Sequence, residues 1–317
     1  ESLIASGELD FILMNRPLSV DYDYLHKLEE GRIDEIRPCT RCMHCHWDAA
    51  DDGNLTFSCR TNAAHPFRFV TGQLTGSYDP EPAATAKNVV VVGAGPAGLE
   101  AARVAAERGH SVTLYEKKGS VGGLLEFANN VKGPHENLSV LRSYFERQME
   151  VLGVNVMLNT EATADIIAEA SPDIVIAATG GVRDTLGLSD TAGTKVVGID
   201  DFMMADIAEE VVIVGSNVQA IDAAMYLLAQ GKHVQVVTPN AASAIGAGHS
   251  FWVKTFTQPN MKALGVRFWP EATVTAVNDG SVTVKTATGI EQEIACGTVV
   301  EALDCLPNDS LSTGLSC

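Results

Sequence analysis

The apolar and polar positions along the chain fall into blocks that predict strands alternating with helices. Asn88–Val92 carries an unbroken valine run, which is typical of a buried strand in a parallel sheet. An alanine-rich helix to about Arg108 and a strand at Ser111–Tyr115 follow directly. The pattern then predicts a helix and two more strands, at Glu136–Leu152, Val154–Leu158 and Asp173–Ala178. This order of elements indicates an α/β fold.

A second strand–turn–helix–strand block begins at Val211. Its strand ends at Val214, its turn starts at Gly215, its helix runs to about Gln230, and its next strand spans His233–Val237. The two blocks share an arrangement of elements and not a short repeated sequence.

The residues after the second block predict an antiparallel piece. Thr273–Val277 and Ser281–Lys285 alternate between apolar and polar positions. They flank Asn278-Asp279-Gly280, which is a strong signal for a β-hairpin. A last apolar strand is predicted at Thr298–Leu303.

The residues before Lys87 show less periodicity. A short apolar strand is predicted at Asp10–Asn15, and a helix at Tyr22–Glu30 is ended by Gly31. This segment is too small to bury a core of its own, so we expect it to dock on another part of the protein. From Pro38 to about Lys87 the sequence is loop-like, and a cross-link such as a metal centre would account for so long a loop.

Composition and charge narrow the functional classes. The chain has 317 residues, of which 46% are hydrophobic, so it has room for two domains with real cores. A net charge of −18 argues against a nucleic-acid or anionic-membrane surface. No apolar run approaches the ~20 residues that span a bilayer, and the first residues lack the features of a signal peptide. We therefore expect a cytoplasmic protein, and the absence of an initial Met suggests a fragment or a processed product.

Four cysteines stand at a spacing that indicates a metal centre. Cys39, Cys42 and Cys45 are separated by two residues each, and Cys59 follows. This spacing puts three thiolates on one turning loop and predicts the ligands of a 4Fe–4S cluster. Zinc is an alternative, although zinc sites usually present two separated Cys-x-x-Cys pairs. Structural thiols are the other alternative, but disulfide frameworks belong mostly to short secreted domains.

The histidines near this motif and the remaining cysteines are not interpreted as metal ligands. His44 and His46 flank Cys45, and either could replace a thiolate as in Rieske centres. Because four cysteines suffice, both histidines are interpreted as solvated loop residues. The remaining cysteines lack motif spacing and are interpreted as inert thiols: Cys296, Cys305 and Cys317.

The turn after the first strand, Gly93-Ala94-Gly95-Pro96-Ala97-Gly98, matches a dinucleotide-binding fingerprint. Gly93 permits the tight bend, Gly95 lets a pyrophosphate approach the backbone, and Gly98 allows close helix–strand packing. Glu116 ends the next strand, at the spacing expected of a hydrogen-bond acceptor for a ribose hydroxyl. The alternative is a turn that only packs a helix onto a sheet. FAD and NAD(P) share this fingerprint, so the motif alone leaves the dinucleotide open.

The second turn, Gly215-Ser216-Asn217-Val218-Gln219-Ala220, is a degenerate version of the same fingerprint. Asn217 replaces the glycine that lets phosphate come close, and the following strand ends at Thr238 without an acid for a ribose 2′-hydroxyl. Two interpretations stay open. Either Gly215 and Asn217 contact a nicotinamide dinucleotide, with NADP favoured over NAD, or this is a structural domain that binds none.

Several of these stretches together resemble a known family. Arg37-Pro-Cys-Thr-Arg-Cys-Met-His-Cys45 with Cys59, and then Val89-Val-Val-Val-Gly-Ala-Gly-Pro-Ala-Gly-Leu-Glu100, resemble the multi-cofactor flavoproteins of the 2,4-dienoyl-CoA reductase and trimethylamine dehydrogenase group. Two more stretches resemble signatures of their flavin domain: Glu116-Lys-Lys-Gly-Ser-Val-Gly-Gly-Leu124 and Ala177-Ala-Thr-Gly180. Residues 9–18 resemble the last strand of their old-yellow-enzyme-type barrel.

The resemblance implies an FMN barrel, a 4Fe–4S cluster, an FAD domain and an inserted NAD(P)H domain, in that order. Reductase members pass electrons from NADPH through FAD and the cluster to FMN, which reduces an enone or dienoyl substrate. Dehydrogenase members pass electrons from an amine through FMN to the cluster, bind ADP in place of FAD, and deliver to an external flavoprotein. Arg16 matches an arginine that meets the FMN phosphate. The candidate cluster ligands are Cys39, Cys42, Cys45 and Cys59, and the candidate flavin contacts are Gly93, Ala94, Gly95, Ala97, Gly98, Glu116, Gly123, Leu124 and Thr179.

The chain departs from the family pattern at both ends. Nearly all of the barrel is absent, and with it the substrate pocket and most of the FMN site. The Gly-Asp segment that meets flavin near the family's C-terminus is also missing, and Asp304 stands where Ala-Leu-Gly is expected.

We therefore expect two Rossmann-like nucleotide-binding units of the glutathione-reductase type, behind the tail of a TIM barrel and a cluster segment. The expected boundaries are 1–37 for the barrel tail, 38–86 for the cluster segment, 87–205 for the FAD domain, 206–297 for the NAD(P)H-binding-like domain and 298–317 for a return to the FAD domain. The expected function is electron delivery from NAD(P)H through FAD and the cluster to FMN, for reduction of an enone or dienoyl-type small molecule. The alternative is an amine-dehydrogenase-like or non-catalytic relay that holds ADP. Catalytic residues and the substrate are not identifiable, no nucleic-acid or membrane partner is expected, and a homo-oligomer is kept as a possibility.

Overall fold

The computed structural model describes residues 2–46, 59–64, 80–133, 136–249 and 251–314, with the side chains of 46, 251–253 and 312 left out. The chain divides into two compact units. Unit 1 comprises Glu1–Gly122, Glu136–Thr160 and Ser171–Ile176. Unit 2 comprises Gly123–His135, Glu161–Ala170 and Ala177–Cys317.

Helices and strands alternate through most of the described residues. The α-helices are α1 (Ser2–Ala5), α2 (Arg16–Val20), α3 (Tyr24–Glu29), α4 (Pro96–Glu107), α5 (Leu124–Lys132), α6 (Leu138–Val151), α7 (Ala164–Glu169), α8 (Val218–Ala229), α9 (Phe251–Ala263) and α10 (Ser310–Gly314). The strands are β1 (Asn88–Val92), β2 (Ser111–Tyr115), β3 (Asn155–Met157), β4 (Ile174–Ala177), β5 (Gly181–Arg183), β6 (Lys195–Gly198), β7 (Glu210–Val214), β8 (His233–Val237), β9 (Arg267–Trp269), β10 (Ala272–Asn278), β11 (Ser281–Thr286), β12 (Glu291–Ala295), β13 (Thr298–Glu301) and β14 (Cys305–Pro307). Short 3₁₀ helices span Ile33–Glu35, His44–His46, Phe202–Met204 and Ala242–Ala244.

Unit 1 is built on a four-stranded sheet in the order β3-β2-β1-β4. β1 pairs with β2 in parallel along its whole length, and β3 pairs in parallel with the other edge of β2. The valines of β1 are buried, as their unbroken apolar run predicts for an inner strand.

The helix α4 packs its apolar stripe against this sheet. Leu99, Ala102 and Ala105 recur at helical spacing and are buried, and α4 also packs against α6. Pro96 lies in the first turn of α4, where its missing N–H removes no helical hydrogen bond. The N-terminus of α4 therefore lies directly after the end of β1, where the sequence predicts the nucleotide turn.

Unit 2 contains a five-stranded sheet in the order β6-β13-β7-β8-β9, and every neighbouring pair in it is parallel. The helix α8 packs on β7 and β8, and α5 packs on α8. Phe202 is fully buried in this core and meets Phe127 of α5 and Tyr226 of α8 in edge-on ring contacts. The second predicted strand–turn–helix–strand block thus forms the centre of unit 2.

The predicted hairpin is present in unit 2. β10 and β11 are antiparallel, and Asn278 pairs with Ser281 across the turn formed by Asp279 and Gly280. Gly280 has a φ of +78°, a left-handed conformation that glycine adopts without strain. β12 pairs with β11 and completes a three-stranded antiparallel sheet. One face of this sheet packs on the parallel sheet through Val282 and Val284 of β11 and Ile294 of β12.

The predicted α/β class and Rossmann-like units are confirmed by this architecture. The strands predicted at Asn88–Val92, Ser111–Tyr115 and His233–Val237 have those bounds in the structure. Within the described part of the chain, no helix is long and apolar enough to cross a membrane.

The structure differs from the sequence expectation at two elements. Residues 10–15 pair with no strand among the described residues, and Phe11 and Leu13 are 80% and 93% exposed. An apolar run forms a strand only where another strand offers hydrogen-bond partners, which local pattern does not reveal. The helix α5 was not predicted. The predicted last apolar strand is present as β13, which pairs with β6 and β7 in unit 2, where burial of Val299 and Val300 stabilises it.

Candidate functional site

The four candidate cluster ligands line one cavity in unit 1. The first three cysteines lie in residues 37–45, which we call the cysteine loop. The four cysteines share the cavity lining with residues of α2, with other residues of the cysteine loop, and with the two residues that follow Cys59. None of the four is in a disulfide. Cysteines that are separate in sequence therefore meet around a common space while remaining reduced.

The backbone of the cysteine loop turns sharply between successive cysteines. Arg41 and Met43 both have φ values of 59°, in the left-handed region that non-glycine residues rarely adopt. Such residues persist only where surrounding structure or a ligand holds them. The two left-handed residues reverse the chain locally, so that Cys39, Cys42 and Cys45 line the same cavity.

Four thiolates are the donor set of a cubane cluster, in which each binds a different iron. Among the described residues, no group of three or more His, Cys, Asp or Glu side chains is arranged to hold a single metal ion. Burial, followed by the nearby thiols of Cys59, Cys42 and Cys39, raises the pKa of Cys45. The other three thiols are thus close enough to Cys45 to contribute to this shift, and the residues fit the cluster.

Two other predicted residues lie at or near this cavity. Arg16 lines it, and its Nη1 lies 3.5 Å from the sulfur of Met43. His44 is partly buried in the 3₁₀ helix His44–His46 and is not part of the described cavity lining. His46 has no described side chain.

A buried ion pair joins the cysteine loop to the helix that follows the first glycine turn. Both Nη atoms of Arg37 lie 3.3 Å from the carboxylate of Glu100, which also accepts two hydrogen bonds of 3.0 Å from Arg103. Tyr144 of α6 covers the Arg37 guanidinium, with its ring centroid 5.1 Å away. Burial opposes ionisation of Glu100, but the hydrogen bond from Arg103 and the charges of both arginines together lower its pKa.

The first glycine turn leaves space for a ligand above Gly95. Gly93 has a φ of +100°, and its N–H donates to the carbonyl of Tyr115 at 2.8 Å. A Cβ atom built on Gly95, which caps α4, would meet no protein atom within 4 Å. Backbone N–H groups at a helix N-terminus attract anionic groups. The turn therefore presents an open N-terminus of the kind that accepts a pyrophosphate, and Gly98 is buried behind it.

Glu116 is buried at the end of β2 and faces this turn. Its Oε2 accepts the N–H of Ala94 at 2.8 Å, and its Oε1 accepts the N–H of Lys118 at 2.9 Å. An ionised carboxylate has about four acceptor positions, so about two remain for the hydroxyls of a ribose. Ala97 is exposed on the first turn of α4, and Gly122 donates its N–H to the Ala94 carbonyl at 2.8 Å.

Three predicted flavin contacts lie in unit 2. Gly123 caps α5 with a φ of 52°, and Leu124 is 50% exposed at the start of that helix. Thr179 donates its hydroxyl to the carbonyl of Asn308 at 2.6 Å. In the described structure, this hydroxyl holds the C-terminal segment against the residues after β4.

The second glycine turn is filled by protein side chains. Asn217 caps α8, since its Oδ1 accepts the N–H of Ala220 at 3.0 Å. Its Nδ2 donates to the carbonyl of Ala302 at 3.0 Å and to the carboxylate of Asp304 at 2.9 Å. A Cβ atom at Gly215 would collide with the Ala302 carbonyl, so this glycine allows close packing against the residue that follows β13. The helix N-terminus is thus capped from within the chain, with a carboxylate beside it.

Comparison with known proteins places this fold. A family model described as pyridine nucleotide-disulphide oxidoreductase matches residues 87–317. The chain belongs to the pyridine nucleotide-disulphide oxidoreductase family. An NADH oxidase from Thermoanaerobacter brockii is 35% identical over 243 residues, which are 75% of this chain and 36% of the relative.

Two solved structures are similar to nearly the whole of this chain. A complex of 2-naphthoyl-CoA reductase with 2-naphthoyl-CoA is 31% identical with a TM-score of 0.84, covering 99% of this chain and 47% of the other. Histamine dehydrogenase from Rhizobium sp. 4-9 is 25% identical with a TM-score of 0.76, covering 99% of this chain and 50% of the other. The predicted membership of the 2,4-dienoyl-CoA reductase and trimethylamine dehydrogenase group is confirmed by these relatives. The chain spans about a third to a half of the length of each relative.

Sequence reasoning missed several residues that shape these sites. Arg37 and Glu100 lie within the stretches that resemble the family, but no local pattern signals that they pair. Thr61 and Asn62, which are buried beside Cys59, stand in a segment without periodicity. In the sequence, Asp304 stands out only as a departure from the family pattern, and its contact with Asn217 joins residues 87 positions apart.

Proposed function

We propose that this chain is the electron-delivery part of an iron–sulfur flavoprotein oxidoreductase. Cys39, Cys42, Cys45 and Cys59 hold a 4Fe–4S cluster, and the first glycine turn holds the adenine dinucleotide part of FAD. The proposed order of electron flow is NAD(P)H, FAD, cluster and FMN, with the reduction of an enone or dienoyl-type substrate in the complete enzyme. When bound, these groups let a two-electron hydride donor supply electrons singly.

The observation that carries this proposal is the ion pair between Arg37 and Glu100. Arg37 precedes Cys39 by two residues, and Glu100 lies one helical turn into α4, which is capped by Gly95. The rate of electron transfer falls steeply with the separation of donor and acceptor. A buried pair that joins the two binding segments of unit 1 fixes that separation, which is what a relay between a dinucleotide and a cluster requires.

The chain's own residues have defined tasks in this proposal. The N-terminus of α4 binds the pyrophosphate, the open space at Gly95 admits it, and Glu116 accepts hydrogen bonds from the ribose. Cluster binding requires thiolates, so Cys45, whose pKa burial raises, must release its proton when iron binds. Reduced thiols and an oxygen-sensitive centre fit the cytoplasm.

A second candidate function is a relay that receives no hydride from NAD(P)H. Asn217 and Asp304 favour it, because they occupy the end of α8 where a pyrophosphate would approach. A carboxylate at that position repels phosphate. In this version the first turn holds ADP or FAD, unit 2 stabilises the protein, and electrons leave to an external flavoprotein, as in amine dehydrogenation.

The test uses the full-length protein purified anaerobically. Cofactors are extracted and identified, iron and zinc are measured, and the protein is mixed rapidly with NADPH, NADH or dithionite. Bound FAD with fast bleaching by NADPH or NADH supports the reductase path. Bound ADP with bleaching by dithionite alone supports the relay. Stoichiometric zinc in place of iron contradicts both.

A further inference from the structure

The segment that carries the fourth cysteine is fixed by buried polar contacts. Thr61 and Asn62 are 8% and 6% exposed. The guanidinium of Arg37 donates to the carbonyl of Thr61, and Asn62 Nδ2 donates to the carbonyl of Val20 at 2.8 Å and to the hydroxyl of Tyr22 at 3.0 Å. These partners all belong to unit 1, and together they hold Thr61 and Asn62 in place.

Thr61 in turn contacts the fourth cysteine through its side chain. Its Oγ1 lies 3.4 Å from the sulfur of Cys59, which is hydrogen-bond distance for the large sulfur atom. In the thiol form either atom can donate. A cysteine that ligates iron is a thiolate without a proton, so the threonine hydroxyl must then be the donor.

We propose that Thr61 tunes the reduction potential of the cluster by donating this hydrogen bond to the Cys59 thiolate. The inference rests on the proposed function, since it requires the cluster. A one-electron donor such as reduced flavin adds one negative charge to the cluster, and part of that charge resides on the cysteine sulfurs. A donor aimed at one of those sulfurs stabilises the reduced form more than the oxidised form. Thr61 therefore raises the potential, while Arg37 and Asn62 act as positioning residues for it.

Three variants separate this role from simple packing. Thr61→Val removes the hydroxyl while keeping a β-branched side chain, and Thr61→Ser keeps the hydroxyl while removing a methyl group. Thr40→Val is the matched control, because Thr40 is a buried threonine of the same cavity lining. Among the described residues, no hydrogen bond joins Thr40 to a cysteine sulfur.

Midpoint potentials are measured on the anaerobic full-length proteins by dithionite titration, with the reduced cluster followed by electron paramagnetic resonance. Thr61→Val is expected to lower the ratio of reduced to oxidised cluster at a fixed ambient potential by up to about tenfold, about 59 mV for a one-electron couple. Thr61→Ser and Thr40→Val are expected to keep the parent potential. If Thr61→Val holds no cluster, Thr61→Ala takes its place under the same criterion.

The outcomes distinguish this inference from the proposed function. A parent protein without an iron–sulfur cluster overturns the proposed function and the inference with it. A parent that holds the cluster, with an unchanged potential in Thr61→Val, overturns the inference alone. A midpoint potential that falls equally in Thr61→Val and Thr61→Ser also overturns it, because the change in potential would then come from altered packing and not from removal of the hydroxyl.

Discussion

The carboxylate of Glu100 lies 3.3 Å from the guanidinium of Arg37, and both side chains are largely removed from water, with 19% and 7% of their surface exposed. Arg103, at 3.0 Å and 11% exposed, pairs with the same carboxylate. One acid therefore compensates two buried cations at the junction between the cysteine loop and α4. A buried charge without a partner is costly, so Glu100 is the member of this cluster whose loss has the largest effect.

Glu100→Gln is expected to lower the free energy of unfolding at neutral pH by about 3 kcal/mol, because it leaves Arg37 and Arg103 without their shared counter-charge. Urea denaturation measures this change. The matched control is Glu107→Gln, which removes another carboxylate partner of Arg103 from a more exposed position on the same helix. That control should cost no more than about 1 kcal/mol. Equal losses in the two variants would contradict the role given to Glu100.

The effect of Glu100→Gln should also depend on pH. The pKa of Glu100 is lower in the folded protein than its ordinary value of 4.5, so the unfolded chain takes up the proton first as the pH falls. The stabilisation is therefore complete above 4.5 and is lost as the pH drops through the lower folded value. Unfolding curves of parent and variant should converge in acid. A difference that stays constant below pH 4.5 would rule out this linkage.

Cys42→Ser is expected to lose most of the bound iron, because a hydroxyl is a poor substitute for one of the four thiolates. The parent should hold about four irons per chain. Cys305→Ser is the control, since Cys305 is exposed on β14 in unit 2 and lies outside the cysteine cavity. Iron and acid-labile sulfide assays on anaerobic protein measure the result. Full iron retention by Cys42→Ser would remove Cys42 from the ligand set.

Gly95→Val is expected to abolish binding of FAD or ADP without unfolding the protein. A Cβ atom at this position meets no protein atom within 4 Å and the backbone conformation suits any residue, so the added side chain occupies only the space of the pyrophosphate. Cofactor content and thermal unfolding are measured together. Gly198→Val, at the end of β6, is a control with comparable room, since its nearest neighbour is 4.0 Å away. Parent-like binding by Gly95→Val would show that no dinucleotide lies at this turn.

Asn217→Gly is expected to bind NADPH more tightly than the parent, because it removes the side chain that caps α8 and restores the glycine of the fingerprint. Asn217→Asp is the matched control. It keeps an acceptor for the cap but adds a charge that repels phosphate, so it should not gain affinity. Titration calorimetry measures both. Tight NADPH binding by the parent, unchanged in Asn217→Gly, would show that the dinucleotide is held without this helix N-terminus.

Elements with a strong local signal were predicted well. The valines of β1, the glycines of the first turn and the alternating residues around Asp279-Gly280 each specify their conformation through neighbours in sequence. Their structures follow because periodicity and turn chemistry act over a few residues. Residues 10–15 show the limit of that reasoning, since they have the composition of a strand but pair with no strand in the described structure.

The sequence by itself determined the α/β class, the four-cysteine spacing, the dinucleotide fingerprint and the degeneracy of the second turn. The tertiary structure alone decided that Arg37 meets both Glu100 and the carbonyl of Thr61, which is 24 residues away. It also decided that the Thr61 hydroxyl contacts the sulfur of Cys59 and that Asn217 meets Asp304. It also decided that β13 lies between β6 and β7. Most of these contacts join residues far apart in the chain, and they form because packing of helices on sheets buries the groups together. No local pattern records which buried charge or hydroxyl will meet which partner.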